Sequence, residues 1–91
     1  MPVKHLNICI RGWVQGVGFR YSALKAARSF QVNGFVRNET DGSVYIEAEG
    51  EERNLELFLD WCRKGPPFGR VDAVTETESG LRGFQEFRIL H

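Results

Sequence analysis

Three glycines crowd the seven residues Gly12-Trp13-Val14-Gln15-Gly16-Val17-Gly18, and an arginine, Arg20, follows two positions later. A glycine turn leading into a helix can aim several backbone N–H groups at one point beside the positive end of the helix dipole, and such a hollow holds an oxyanion. Arg20 falls at the second position of the helix expected to follow, so its side chain starts beside that hollow. The planar guanidinium can offer two parallel donors to phosphate oxygens. Together these residues read as a phosphate clamp. A plainer reading is also open: the glycines permit a tight bend, Arg20 is a solvated surface residue, and loops of this kind match by chance often.

Other residues capable of chemistry are few and scattered. Cys9 and Cys62 stand alone, without CxxC spacing or a Cys/His cluster. They read as small buried hydrophobes, with a disulfide as the alternative if their elements pack together. His5 and His91 are the only histidines and sit near opposite ends of the sequence. A zinc site would need unusual ligands, so no metal and no cofactor is expected.

The clamp needs a scaffold, and the hydrophobic pattern supplies one. From His5 to Arg11, Leu6, Ile8 and Ile10 alternate with Asn7, Cys9 and Arg11, the period-two pattern of a half-buried strand. Residues 12–18 break that strand into a loop. Phe19 to Gln31 then gathers Phe19, Ala23, Ala26, Ala27 and Phe30 on one face of a helix, ended by Asn33-Gly34. Residues 34–40 and 43–49 form two strands joined by Asp41-Gly42, a two-residue hairpin signal. A second helix opens with Glu51 and Glu52, carries Leu55, Phe58, Leu59 and Cys62 on one stripe, and closes with Arg63 and Lys64. Acids first and bases last suit the helix dipole, and Gly65-Pro66-Pro67 stops it. Residues 70–78 and 84–90, separated by Ser79-Gly80, read as two further strands. The order β-α-β-β-α-β is the split β-α-β arrangement of a ferredoxin-like α+β fold: an antiparallel sheet, two helices on one face, and an additional C-terminal strand. That architecture hosts binders, regulators and enzymes alike, so it selects no function.

Length and charge narrow the classes. A chain of 91 residues makes one domain, residues 1–91, and buries about 60–65% of its unfolded surface. Twelve basic and twelve acidic residues cancel, and no run of like charge forms an arm or tail. No nucleic acid is expected as partner: Tyr45 is the only aromatic residue of the third strand, whereas an RNA-binding sheet of this fold stacks bases on several. The first residues lack the apolar run of a secretory signal, and no stretch approaches a membrane span. The expectation is a cytoplasmic protein with no membrane partner.

The string Gly12-Trp13-Val14-Gln15-Gly16-Val17-Gly18-Phe19-Arg20 closely resembles the Gly-x-Val-Gln-Gly-Val-x-Phe-Arg signature of the acylphosphatase family. Gly34-Phe35-Val36-Arg37-Asn38 running into Asp41-Gly42-Ser43-Val44 is similar to a second signature, and Gly65-Pro66-Pro67 before Arg70-Val71, with the closing Phe87-Arg88-Ile89, extends the likeness over nearly the whole chain. The resemblance implies a small, stand-alone, monomeric hydrolase that cleaves acyl phosphates to a carboxylate and inorganic phosphate without metal. It implies a phosphate loop at 14–18, with Val14, Gln15, Gly16, Val17, Gly18, Phe19 and Arg20 binding phosphate, and a catalytic pair of Arg20 and Asn38. The chemistry fits, because a good carboxylate leaving group calls for charge neutralisation and an in-line water more than for a strong base. An Asn side chain can accept from that water and donate to it without carrying a charge that repels the substrate. In the family's proposed mechanism the substrate's own phosphate takes the proton. Two positions depart from the pattern: Trp13 stands where a basic residue is usual, and Glu39 where a small hydroxyl residue or Leu is common. Arg37 is expected on the opposite sheet face as a surface charge, and the glycosylation triplet Asn38-Glu39-Thr40 is expected to be idle. A regulatory module that binds phosphorylated ligands without turning them over is the competing reading. The related modules of hydrogenase-maturation proteins share the loop, but the length of this chain favours the free-standing enzyme.

Overall fold

Alternating side chains in the first strand decide which face of the sheet becomes the core. In the computed structural model, which describes residues 2–91, β1 (Val3–Trp13) buries Ile8 and Ile10 toward the helices and turns His5, Asn7 and Cys9 to the other face. The strand runs two residues past Arg11, crossing a shift in register at Arg11/Gly12, so the loop proper is confined to residues 14–18. Next come α1 (Phe19–Ser29), β2 (Asn33–Asn38), β3 (Val44–Glu51), α2 (Glu52–Lys64), β4 (Arg70–Ser79) and β5 (Phe87–Ile89). Helix α1 stops short of Gln31 because that residue takes left-handed backbone (φ 57) and lets the Val32 N–H turn back onto the Ala27 carbonyl at 2.8 Å.

The sheet order is β4-β1-β3-β2-β5. The first four strands pair antiparallel, as the split β-α-β pattern requires, but β5 lies parallel to β2 with Val36 opposite Ile89, which makes the sheet mixed. Both helices pack on one face. Phe19, Ala23, Ala26 and Ala27 of α1 and Leu55, Phe58, Leu59 and Cys62 of α2 close over Ile8, Ile10, Val36, Val44 and Ile46. Full burial of Phe19 or Phe58 contributes about 1.5–3 kcal/mol each, which makes these two side chains the main anchors of the helices. The two cysteines are free thiols, separated by the sheet: Cys62 is buried under α2, where burial pushes its thiol up, and Cys9 lies half-buried on the opposite face.

The last predicted strand, 84–90, is in fact a strap followed by a short strand. Strands β4 and β5 occupy opposite edges, so residues 80–86 must cross four strand spacings, about 19 Å. Seven extended residues reach about 25 Å, which leaves too little slack for regular pairing on the way. Side chains take up the strap's backbone instead. Glu49 accepts from the N–H groups of Arg82, Gly83 (3.0 Å) and Phe84 (3.0 Å), and Asn33 donates to the Phe84 carbonyl at 3.2 Å. Burial works to raise the Glu49 carboxyl, but these N–H donors and His5 outweigh it and hold it below its ordinary value. Fully buried His5 sits beneath, 2.8 Å from Glu49 and 2.9 Å from Glu47, with Phe84 stacked on its ring. This polar seam fixes the strap, and the strap delivers β5 to the edge beside β2.

Candidate active site

Three strands, β1, β2 and β5, run in the same direction, and their C-terminal ends meet the start of α1. A cleft of about 280 Å³ lies there, lined by Val14, Gly16, Gly18, Phe19, Arg20, Tyr21, Asn38, Ile89 and His91. Among the described residues, Arg20 is the only Arg or Lys that lines it, and no Asp or Glu side chain does.

The loop owes its shape to glycine. Gly16 (φ 75) and Gly18 (φ 77) both take left-handed backbone, which an L side chain would strain, and a Cβ at either would meet only open space. None of the peptide N–H groups from Gln15 to Tyr21 donates to an acceptor among the described residues. Gly18 caps α1 without a side-chain hydrogen bond, and no acid occupies the first turn. The positive end of that helix is thus uncompensated, whereas α2 carries Glu52 in its first turn and Arg63 and Lys64 in its last.

Arg20 is half-buried beside this cradle. One of its terminal nitrogens, Nη1, meets the Leu90 carbonyl (3.4 Å) and Nδ1 of His91 (3.2 Å). Its remaining donors, Nε and Nη2, have no hydrogen-bond partner among the described residues, so one flat edge of the fork is free. Asn38 ends β2 on the helix-covered face, alternating with Arg37, which points to the other face over the Phe35 and Tyr45 rings as expected. The Asn38 amide is likewise unpaired among the described residues and lines the cleft.

Two of the loop residues proposed from sequence do something different with their side chains. Gln15 turns away from the cleft and donates through Nε2 to the carbonyls of Glu39 and Ser43, both at 2.8 Å. It thereby braces the turn that begins one residue after Asn38. Val17 packs partly buried against the core. The same turn is held from inside by Asp41, whose carboxylate accepts from the Ser43 N–H (3.0 Å) and hydroxyl (2.6 Å) and is drawn down to about 2 by those bonds, with a smaller pull from Arg11. Glu39 is directed to Arg37, at 3.1 Å, and Trp13 is 64% exposed and stands outside the cleft lining. Tyr21, Ile89 and His91 were not foreseen in the site. Tyr21 follows from its place beside Arg20, but Ile89 and His91 enter only through the parallel β2–β5 pairing, which no local pattern encodes. Among the described residues no three His, Cys, Asp or Glu side chains gather to hold a metal ion.

Comparison with known proteins finds relatives over nearly the whole chain. The family model for acylphosphatase matches residues 6–89. A curated acylphosphatase of Mannheimia succiniciproducens is 48% identical over 83 residues, spanning 90% of this chain and 92% of that one. One from Thermotoga maritima is 46% identical over 87 residues, spanning 96% and 97%. The crystal structure of acylphosphatase from Bacillus subtilis superposes with a TM-score of 0.94 at 39% identity, covering 97% of this chain and 99% of that chain.

Proposed function

The chain belongs to the acylphosphatase family, and on that premise we propose that Arg20 and the 14–18 peptide N–H groups clamp the phosphoryl group of the substrate while Asn38 holds the attacking water. The overall reaction is the hydrolysis of an acyl phosphate to a carboxylate and inorganic phosphate. The observation that supports the assignment of roles is that three sets of donors without partners among the described residues border one cleft: the loop amides at the open end of α1, the Nε/Nη2 edge of Arg20, and the Asn38 amide.

In this reading the amides of Val14, Gln15, Gly16, Val17, Gly18 and Phe19 surround the phosphate oxygens, and Arg20 spans two of them. The water oxygen forms its bond to phosphorus opposite the leaving carboxylate, which departs with the electron pair of the broken P–O bond. Its proton passes to a phosphate oxygen, since no Asp or Glu side chain among the described residues lines the cleft to take it. Such a charge clamp can supply about 10³–10⁵ in rate when it tightens on the transition state. We read the enzyme as metal-independent because cationic and amide donors already neutralise the phosphoryl charge. Residues 1–91 act as a single acylphosphatase-like domain, since both helices share one core with the sheet. A cytoplasmic monomer without nucleic-acid or membrane partners accords with the balanced charge and with the finding that no described helix is long and apolar enough to cross a membrane. The test is benzoyl phosphate hydrolysis in excess chelator, with inorganic phosphate added as inhibitor. Undiminished turnover and competitive inhibition are expected; turnover that requires added Mg²⁺ would refute the metal-free clamp.

A further inference from the structure

Between the exposed, left-handed glycines Gly16 and Gly18, Val17 packs partly buried against the core. A chain turns easily about such glycines, so the direction of the Gly16, Val17 and Gly18 N–H groups depends on where the Val17 side chain is lodged. Its lodging is built by the segment that follows α2. Trp61, in the last turn of that helix, lies against the Phe19 ring at 5.3 Å between centroids, and its carbonyl takes the Gly65 N–H at 2.8 Å. The chain then turns onto buried Pro66, and the Gly69 N–H closes the turn on the Pro66 carbonyl at 3.1 Å. Arg70 pairs with Trp13 where β4 begins beside the end of β1, and this register brings Gly69 to the foot of the phosphate loop.

Gly69 does not take left-handed backbone, so conformation does not call for glycine there. Space does. A Cβ at Gly69 would stand 3.1 Å from the Trp13 carbonyl oxygen, 3.1 Å from Cγ2 of Val17 and 3.6 Å from Cγ of Pro66. Carbon atoms pack best about 3.5–4.0 Å apart, so a methyl group would push the loop at its entry and at its middle. We propose that Gly69 is a positioning residue for the reaction: its bare Cα lets Val17 lodge against the turn, and that contact aims the Gly16–Gly18 peptides at the phosphate. A loop already ordered on folding does not pay that ordering again when the phosphate binds. The effect travels through Val17, and Gly69 itself lies outside the cleft lining.

This rests on the phosphate-binding role assigned to the loop above, and the experiment separates the two. KM and kcat for benzoyl phosphate and the inhibition constant of inorganic phosphate are measured at 25 °C for the wild type, Gly69→Ala, Val17→Ala, Val17→Leu, the Gly69→Ala/Val17→Ala double variant and Arg20→Lys, with melting temperatures alongside. A shift of about 1 Å in a positioned group can cost up to about 100-fold, and the crowding here is smaller. Gly69→Ala should therefore raise the phosphate inhibition constant about tenfold and lower kcat/KM by at least as much. Val17→Ala, which loosens the lodging, should raise the inhibition constant about threefold. Because it also removes the methyl group that the new Cβ meets, the double variant should return to the level of Val17→Ala alone, a non-additive result. Val17→Leu crowds the same gap from the loop side and should behave as Gly69→Ala does, which keeps the test in force if Gly69→Ala fails to fold. A Gly69→Ala or Val17→Leu protein with wild-type inhibition constant and kcat/KM, whatever its melting temperature, overturns the proposal, and so do losses that simply multiply in the double variant. Either result beside an inactive Arg20→Lys leaves the clamp standing and removes only Gly69. An active Arg20→Lys removes the clamp, and the proposal with it.

Discussion

Replacing Gln15 by leucine separates the loop's side chains from its backbone. The Gln15 amide donates two hydrogen bonds of 2.8 Å, to the carbonyls of Glu39 and Ser43. Neither carbonyl would be orphaned, because Ser43 O also accepts from the Glu39 N–H at 2.9 Å and Glu39 O from the Gly42 N–H at 3.2 Å. The loss is therefore the net worth of two bonds without a stranded acceptor, about 1–2 kcal/mol. For a domain of this size that lowers Tm by about 4–16 °C. The turn released is the one that follows Asn38, and a displacement of about 1 Å in a positioned group can cost up to about 100-fold in rate. With the hairpin's own bonds still present, we expect kcat for benzoyl phosphate to fall about tenfold at 25 °C, well below the lowered Tm. Inhibition by inorganic phosphate should stay within about twofold, since the loop N–H groups and Arg20 are unchanged. A lowered Tm with wild-type kcat would show that the brace stabilises the turn without orienting Asn38. A loss of phosphate affinity equal to the loss of kcat would show that Gln15 shapes the cradle instead.

Arg20→Lys keeps the charge but replaces a planar fork with a point donor, and kcat/KM should drop by at least about 100-fold in the same assay; near-normal hydrolysis would refute bidentate clamping. Gly34→Ala would place a Cβ 1.8 Å from the Glu47 carbonyl oxygen, a clash with backbone in the sheet, so denaturant unfolding should reveal a loss above about 3 kcal/mol, and an unchanged midpoint would contradict the β2–β3 approach seen here. Glu49 has a lowered folded-state pKa, so its contribution to stability is present above the ordinary glutamate value and is lost as pH falls through the folded value. Glu49→Gln should flatten that acid-side loss in a series of thermal melts, while an unaltered pH dependence would mean that the strap draws no stability from the charge.

Where one local pattern decides an element, the sequence was enough. Glycine spacing and the apolar stripe announced the loop and α1, Asp41-Gly42 announced the hairpin, and Gly65-Pro66-Pro67 announced the end of α2. The stripes named for both helices are the residues they bury, apart from Phe30, which packs partly buried just past the end of α1. What could not be read depends on pairings between distant segments. Residues 84–90 look like a strand because they are aromatic and β-branched, but the crossing from β4 to the far edge consumes their first half. Nothing local to His5, Glu47 and Glu49 marks them as buried, and the strap that contacts His5 and Glu49 comes from more than thirty residues away. The placement of the glycine loop and Arg20 beside one cleft was legible for the same reason as α1, since they are neighbours in sequence. Asn38 had to be supplied by resemblance, because nothing in its own surroundings says that β2 ends beside α1. The brace from Gln15 and the contact from His91 span 24 and 71 residues, beyond the reach of any spacing rule.

Asn38→Ala, assayed for benzoyl phosphate turnover and for inhibition by inorganic phosphate on the same preparation, probes the division of labour in the cleft most directly. If Arg20 and the amides hold the phosphate while Asn38 holds the water, kcat should fall by about 10²–10³ and the phosphate inhibition constant should move by less than about twofold. A variant that keeps its kcat and loses phosphate affinity would contradict that division outright.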